Sequence, residues 1–282
     1  MPIRIVHCLL YLSVILMLSG CLSMMGDGPV ASPRAERDNY VLEEQIHISA
    51  SGCHYEYRMY QPNQPRTDTS VMLGHGFLRD QDTMIGLSRA IANQGIRVVT
   101  LDFCSMRLWN GHHRSNAQDM RELARKLRIA DDIIYAGFSA GALAAVLAAD
   151  NDTRAIVTLD LVDQADLGLT RITQLQTPLI GLAGPATSCN DNNNGDAVYG
   201  ARDNDSISDL VRIPGASHCD FEAPTNWLCR FACGNWNETD SEKARRTDII
   251  DQTVKHLLPF LSKRPQNPQV PASAVNPLSP LL

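Results

Sequence analysis

The 282-residue chain lacks any surplus of positive charge: 25 Lys and Arg stand against 31 Asp and Glu, a formal net charge of −6. A partner for nucleic acid needs clustered cations, and this balance argues against one. The sequence has no internal repeat, so a stacked solenoid is not expected. It has no C-x-x-C pair: Cys229 and Cys233 are four apart, and no second pair with histidines completes a zinc cage. Its N-terminal apolar stretch, Cys8 to Leu18, is too short to span a bilayer comfortably. What is there is ordinary for a soluble core, 44% hydrophobic and 20% charged residues, and the length suits one large α/β domain.

The first residues read as an export signal: Arg4 supplies positive charge, Cys8 to Leu18 the apolar core, and Ser19-Gly20 the small residues before Cys21. Leu18-Ser19-Gly20-Cys21 also resembles the bacterial lipobox, which implies that Cys21 is lipidated and becomes the first mature residue. Leu22 follows where an aspartate would favour inner-membrane retention, so the resemblance points to the outer membrane. An ordinary cleaved signal would instead give a periplasmic or secreted protein. Setting aside Cys8 and Cys21 leaves Cys53, Cys104, Cys189, Cys219, Cys229 and Cys233, an even set that suggests disulfides in an exported chain. We expect the four late cysteines to bridge among themselves, with Cys53 and Cys104 either paired or buried as thiols.

Four parts follow from the pattern: a signal over residues 1–20, a flexible Gly/Pro/Ser-rich tether over 21–38, a catalytic domain over 39–262, and a tail over 263–282 that carries five prolines and no helix or strand period. The domain opens with alternation over Tyr40 to His47 and Tyr55 to Tyr60, bent at Ser51-Gly52, which predicts an antiparallel hairpin. Strand-like runs follow at Ser70–Leu73, Ile96–Leu101, Asp132–Ala136, Ala155–Leu159, Leu179–Ala183 and Asp209–Ile213. Helix-like runs lie at Thr83–Asn93, Ala117–Lys126, Ala140–Ala149 and Glu242–Leu261. Strands alternating with helices predict an α/β fold with a mostly parallel sheet covered on both faces.

Between the run Ile133-Ile134-Tyr135-Ala136 and an alanine-rich helix stands Gly137-Phe138-Ser139-Ala140-Gly141. That is a G-x-S-x-G turn in a strand-to-helix context, where small outer residues let the backbone turn sharply and leave the serine exposed. After the strand Ser70–Leu73 comes Gly74-His75-Gly76-Phe77. Together these segments resemble the serine α/β-hydrolases, over most of residues 40–262. The resemblance implies that Ser139 is a nucleophile and that the backbone N–H groups of Phe77 and Ala140 form an oxyanion hole. His75 reads as a structural hydrogen-bonding residue.

In that family the order is serine, acid, histidine, which leaves His218 and His256 as possible bases. His256 belongs to the last helix, whose apolar set is Ile249, Ile250, Val254, Leu257 and Leu258, and reads as a surface residue. His218 lies in a loop after the last strand-like run, where catalytic groups are presented, and is the expected base. Asp220 and Glu222 read as its solvated neighbours. Asp160-Leu161-Val162-Asp163 resembles the Asp-Pro-Val-Asp stretch of the dienelactone-hydrolase and chlorophyllase-like branch, with Leu161 in place of proline, which implies Asp160 as the acid. Asp163 and Asp191 remain open as alternatives.

The expected chemistry is hydrolysis of a carboxylic ester through an acyl-enzyme, with the membrane as partner through Cys21 and no cofactor or metal required. The same residues could serve a peptidase, a thioesterase or an acyltransferase, and the fold could be a non-catalytic scaffold. The polar run Cys189 to Asp196 fails an EF-hand pattern, since placing Gly195 sixth puts Asn190 first and Ala201 twelfth. It reads as a loop near the pocket mouth. Trp109, Trp227 and Trp236 are candidates both for lining an acyl pocket and for packing anchors. Only Leu161 to Thr177 separates two strands where relatives insert a cap, so no large cap domain is expected.

Overall fold

The computed structural model describes residues 38–104, 112–201, 207–233 and 238–261. The signal, Cys21, nearly all of the tether, the proline-rich tail, Trp109 and Trp236 lie outside them. Among the described residues no helix is long and apolar enough to cross a membrane.

One eight-stranded sheet runs in the order β1-β2-β4-β3-β5-β6-β7-β8. The strands are β1 (Tyr40–Ile48), β2 (His54–Pro62), β3 (Ser70–Gly74), β4 (Arg97–Leu101), β5 (Ile133–Phe138), β6 (Ala155–Leu159), β7 (Leu179–Ala183) and β8 (Ser208–Arg212). The β1–β2 hairpin pairs antiparallel, β2 joins β4 antiparallel, and the remaining pairs are parallel. The helices are α1 (Ile85–Asn93), α2 (His113–Lys126), α3 (Ala140–Ala148), α4 (Leu167–Ile172), α5 (Ala197–Gly200), α6 (Trp227–Ala232) and α7 (Asp240–Leu257).

Strand periodicity splits the core in two. Met72, Val99 and Tyr135 point to one face and pack with Met120 and Leu123 of α2 and Leu143 of α3. Val71, Leu73, Val98 and Ala136 point to the other and meet Leu87 and Ile91 of α1 and Ile249 and Leu257 of α7. Helix α3 is apolar all round and buried from Gly141 to Ala148, as befits a helix inside the core rather than on its rim. Helix α7 starts at Asp240 because Thr239 and Glu242 form a capping box, and its last turn gives way to a 3-10 segment, Leu258–Leu261. Helix α2 begins four residues before the expected Ala117, with His113 and Asn116 already buried. Three disulfides join Cys53 to Cys104, Cys189 to Cys233 and Cys219 to Cys229, the late four pairing among themselves as expected.

The topology prepares a site. From β3 the chain crosses to β4 on one side, and β5 then returns to the other side of β3, so the loops leaving β3 and β5 diverge. Ligands of open α/β sheets bind at the carboxyl ends of strands at such a switch point. Here the register sets Gly74 at the end of β3 beside Gly137 of β5.

Candidate active site

Ser139 sits between β5 and α3 with φ 54° and ψ −117°, a conformation that costs a non-glycine residue on the order of 1–3 kcal/mol. The two glycines of the pentapeptide make the turn possible. A Cβ on Gly137 would lie 2.3 Å from the Gly141 carbonyl oxygen, and one on Gly141 would lie 2.3 Å from the His75 carbonyl oxygen. Backbone therefore meets backbone on both sides of the serine. The Ser139 N–H donates to the Leu159 carbonyl at 2.9 Å, tying the turn to the end of β6.

His218 opens a short 3-10 turn (His218–Phe221) after β8. Its Nε2 lies 3.1 Å from Ser139 Oγ, and its Nδ1 lies 2.6 Å from Asp160 Oδ2. Its ring also faces Phe138, with centroids 4.6 Å apart. Asp160 directly follows β6, has φ 44°, and is buried. Its other oxygen accepts from the Gly184 N–H at 2.9 Å, and the Asn190 side-chain amide approaches both oxygens at 3.3 and 3.4 Å. These donors aim the carboxylate at His218.

The other carboxylates have different surroundings. Asp163 accepts from the Gly168 and Leu169 N–H groups at 2.7 and 2.9 Å, so it holds the start of α4. Asp191 is exposed and accepts from Asn194. His256 is half-buried on α7 and does not border the cavity that Ser139 and His218 share.

His75 is buried, with Nδ1 2.8 Å from the Gly76 carbonyl oxygen and Nε2 accepting from the Phe103 N–H at 3.1 Å. Burial pushes its pKa down to about 4, so the ring is neutral and braces the loop that carries Phe77. Ala140 is the first residue of α3, and its N–H has no acceptor within its own helix. Phe77, Ala140, Ser139 and His218 all border one cavity of about 520 Å³; Leu78, Phe138, Val162, Leu228 and Ala232 give it an apolar wall, and Arg79, His113, Gln164 and Ser188 bring polar groups to its rim.

No protein-family model and no curated protein matches this chain. Solved structures do. A serine hydrolase homologue from Coxiella burnetii superimposes with a TM-score of 0.57 at 16% identity, covering 76% of this chain and 97% of that one. A dienelactone hydrolase from Anabaena variabilis gives 0.58 at 16% identity, over 79% and 100% of the two chains. The esterase domain of a Rhodothermus marinus protein gives 0.53 at 14%, over 76% and 98%. The chain has the α/β-hydrolase fold.

Within this α/β-hydrolase fold some expectations need correcting. Asp220 and Glu222 are not solvated: both are buried. Asp220 accepts from the Ser217 N–H at 2.9 Å and from Arg245 Nε at 3.1 Å, and Glu222 pairs with Arg79. Trp227 does not line the cavity; it is 72% exposed, and its neighbour Leu228 faces inward instead. The polar run after β7 does lie at the cavity, where Ser188 and Cys189 line the wall; it starts from a Thr187 cap, Asp191, Asn192 and Asn193 break its short helical turns at positive φ, and Asn190 is buried against Asp160. Nothing local in the sequence separates Asn190 from Asn192 or Asn193; only the fold of the segment does. His113, buried on the cavity wall, was hidden for a similar reason, since it precedes the periodic part of α2. Burial lowers its pKa, keeping the ring neutral.

Proposed function

We propose that this protein is a serine hydrolase of carboxylic esters, with Ser139 as nucleophile, His218 as base, Asp160 as acid and the Phe77 and Ala140 N–H groups as oxyanion donors. The observation that carries the reading is the continuous chain from Ser139 Oγ through His218 to Asp160, opening on an apolar cavity. His218 takes the Ser139 proton as Oγ attacks the ester carbonyl, and Asp160 stabilises the imidazolium so formed. The negative charge passes to the carbonyl oxygen, between two backbone donors and at the positive end of α3. The imidazolium then protonates the leaving alcohol, and a water activated by the same ring hydrolyses the acyl-enzyme.

The apolar wall of Leu78, Phe138, Val162, Leu228 and Ala232 suits the hydrocarbon acyl or alcohol part of an ester. We further propose that Cys21 is lipidated and holds the enzyme at the bacterial cell envelope, at the outer membrane, as its lipobox resemblance implies. The test is labelling with an active-site fluorophosphonate, followed by turnover of p-nitrophenyl esters of increasing acyl length beside matched amides. The native protein should label and hydrolyse esters, and Ser139→Ala should do neither. Equal labelling of both proteins would refute the assignment of the nucleophile.

A further inference from the structure

We propose that Arg79 and Glu222 are a positioning pair that holds the oxyanion loop in register with the loop of the base. The inference deepens the hydrolase reading and rests on it. Arg79 Nε donates to Glu222 Oε1 at 2.7 Å, with the carboxylate fully buried and the guanidinium almost so. The second carboxylate oxygen accepts from Thr225 Oγ1 at 2.9 Å. An ion pair so far from solvent is rarely a net source of stability, because desolvating both charges offsets their attraction. Its placement suggests a different use.

Arg79 closes the turn that begins at Gly76, its N–H lying 3.2 Å from the Gly76 carbonyl oxygen. Leu78, the third residue of that turn, has φ 53°, in the region that favours glycine. A branched side chain there is strained, and the turn needs an outside restraint to keep it. The Arg79 guanidinium supplies one: Nη1 approaches the carbonyl oxygens of both Phe77 and Leu78 at 3.4 Å. The same side chain thus grips the two peptides that follow the Phe77 N–H and anchors them to Glu222, four residues past His218. Two backbone bonds tie the residue after Glu222 to the start of α1 just beyond that turn, Ala223 N–H to the Thr83 carbonyl at 2.8 Å and Gly86 N–H to the Ala223 carbonyl at 2.6 Å. Burial raises the Glu222 pKa, and the Arg79 charge and the Thr225 hydroxyl oppose the rise.

Lysine at 79 keeps the charge but replaces the fork, whose Nε meets the carboxylate while Nη1 meets the two carbonyls, with a single point of donation. Arg79→Lys should therefore lower kcat for p-nitrophenyl butyrate by about 10- to 100-fold, the scale of a small misplacement at a reacting centre, with KM within about threefold. Arg79→Met/Glu222→Gln, which leaves no unpaired buried charge, should do the same. Thr225→Val, which keeps both charges and loosens only Glu222, should lower kcat severalfold and decides the matter if the first two fail to fold. Folded variants with native kcat, or with raised KM and native kcat, would overturn the proposal. A native protein that neither labels at Ser139 nor hydrolyses the ester would instead refute the hydrolase reading beneath it.

Discussion

Replacing Asp160 by asparagine exchanges one carboxylate oxygen for an NH2 group, and neither orientation of the new side chain keeps both the native hydrogen bonds and the native tautomer of His218. In the native protein Asp160 Oδ2 faces His218 Nδ1 at 2.6 Å and Oδ1 faces the Gly184 N–H at 2.9 Å, with the Asn190 amide near both. If the new amide nitrogen takes the place of Oδ2, it presents a donor to His218, whose proton must move to Nε2. There it points at Ser139 Oγ, 3.1 Å away, and the ring can no longer accept the serine proton. If the amide turns over, its nitrogen meets the Gly184 N–H, donor against donor, in a buried site. The unsatisfied group costs about 1–3 kcal/mol of stability. The wrong tautomer should lower kcat by about 10⁴-fold. Ester turnover and thermal unfolding of Asp160→Asn, Asp163→Asn and Asp191→Asn measure both effects. Asp163→Asn should lose about 1 kcal/mol by weakening the start of α4, and Asp191→Asn, exposed, should stay within about 0.5 kcal/mol. Turnover by Asp160→Asn within tenfold of native, or a larger loss in Asp191→Asn, would refute the reasoning.

Two further outcomes follow from the same geometry. Gly141→Ala places a methyl group 2.3 Å from the His75 carbonyl oxygen and 2.5 Å from that of Gly74, so it should destabilise the fold by about 1–3 kcal/mol or more and abolish turnover, read by unfolding and by fluorophosphonate labelling. His75 has its pKa lowered in the native state, so between about pH 6.5 and 4 the unfolded chain binds a proton that the native protein refuses; its contribution is full above that window and falls by about 3 kcal/mol through it. His75→Gln should therefore flatten the loss of stability between pH 7 and pH 4.5, and an unchanged slope would contradict the buried, neutral ring.

The parts of this site that the sequence makes legible are those whose geometry is local. The turn at Ser139 is written in five consecutive residues, because each outer glycine is forced by backbone a few residues or one strand away. The parallel sheet is legible because strands buried on both faces read as short apolar runs, and the observed strands match the expected ones to within two residues at their ends. The third member of the hydrogen-bonded chain is another matter. Asp160, Asp163 and Asp191 all follow strands at the same edge of the sheet, and what sets them apart is which N–H groups each meets: Gly184 for the first, Gly168 and Leu169 for the second. Asp220 and Glu222 look solvated in a polar stretch because their partners, Arg245 and Arg79, lie 25 and 143 residues away. No window of sequence contains such a pair. Trp227 reads either as a pocket aromatic or as a packing anchor, yet the register of α6 turns it outward to solvent and Leu228 inward.

The bonds from Ser139 N–H to Leu159 and from Asp160 N–H to Leu182 continue the β5–β6 and β6–β7 ladders past the strands' last residues. The serine and the acid are in effect rungs of the sheet, spaced by it rather than by the loops they belong to. The walls that meet a substrate come from elsewhere: Val162 from beyond β6, Cys189 from beyond β7, Leu228 and Ala232 from beyond β8. The hydrogen-bonded chain and the cavity walls thus reside in separable pieces of the fold. Insertions or exchanges in the wall segments can reshape the cavity while Ser139 and Asp160 stay where the strands hold them, a division of labour that lets selection vary what the cavity admits without rebuilding the sheet.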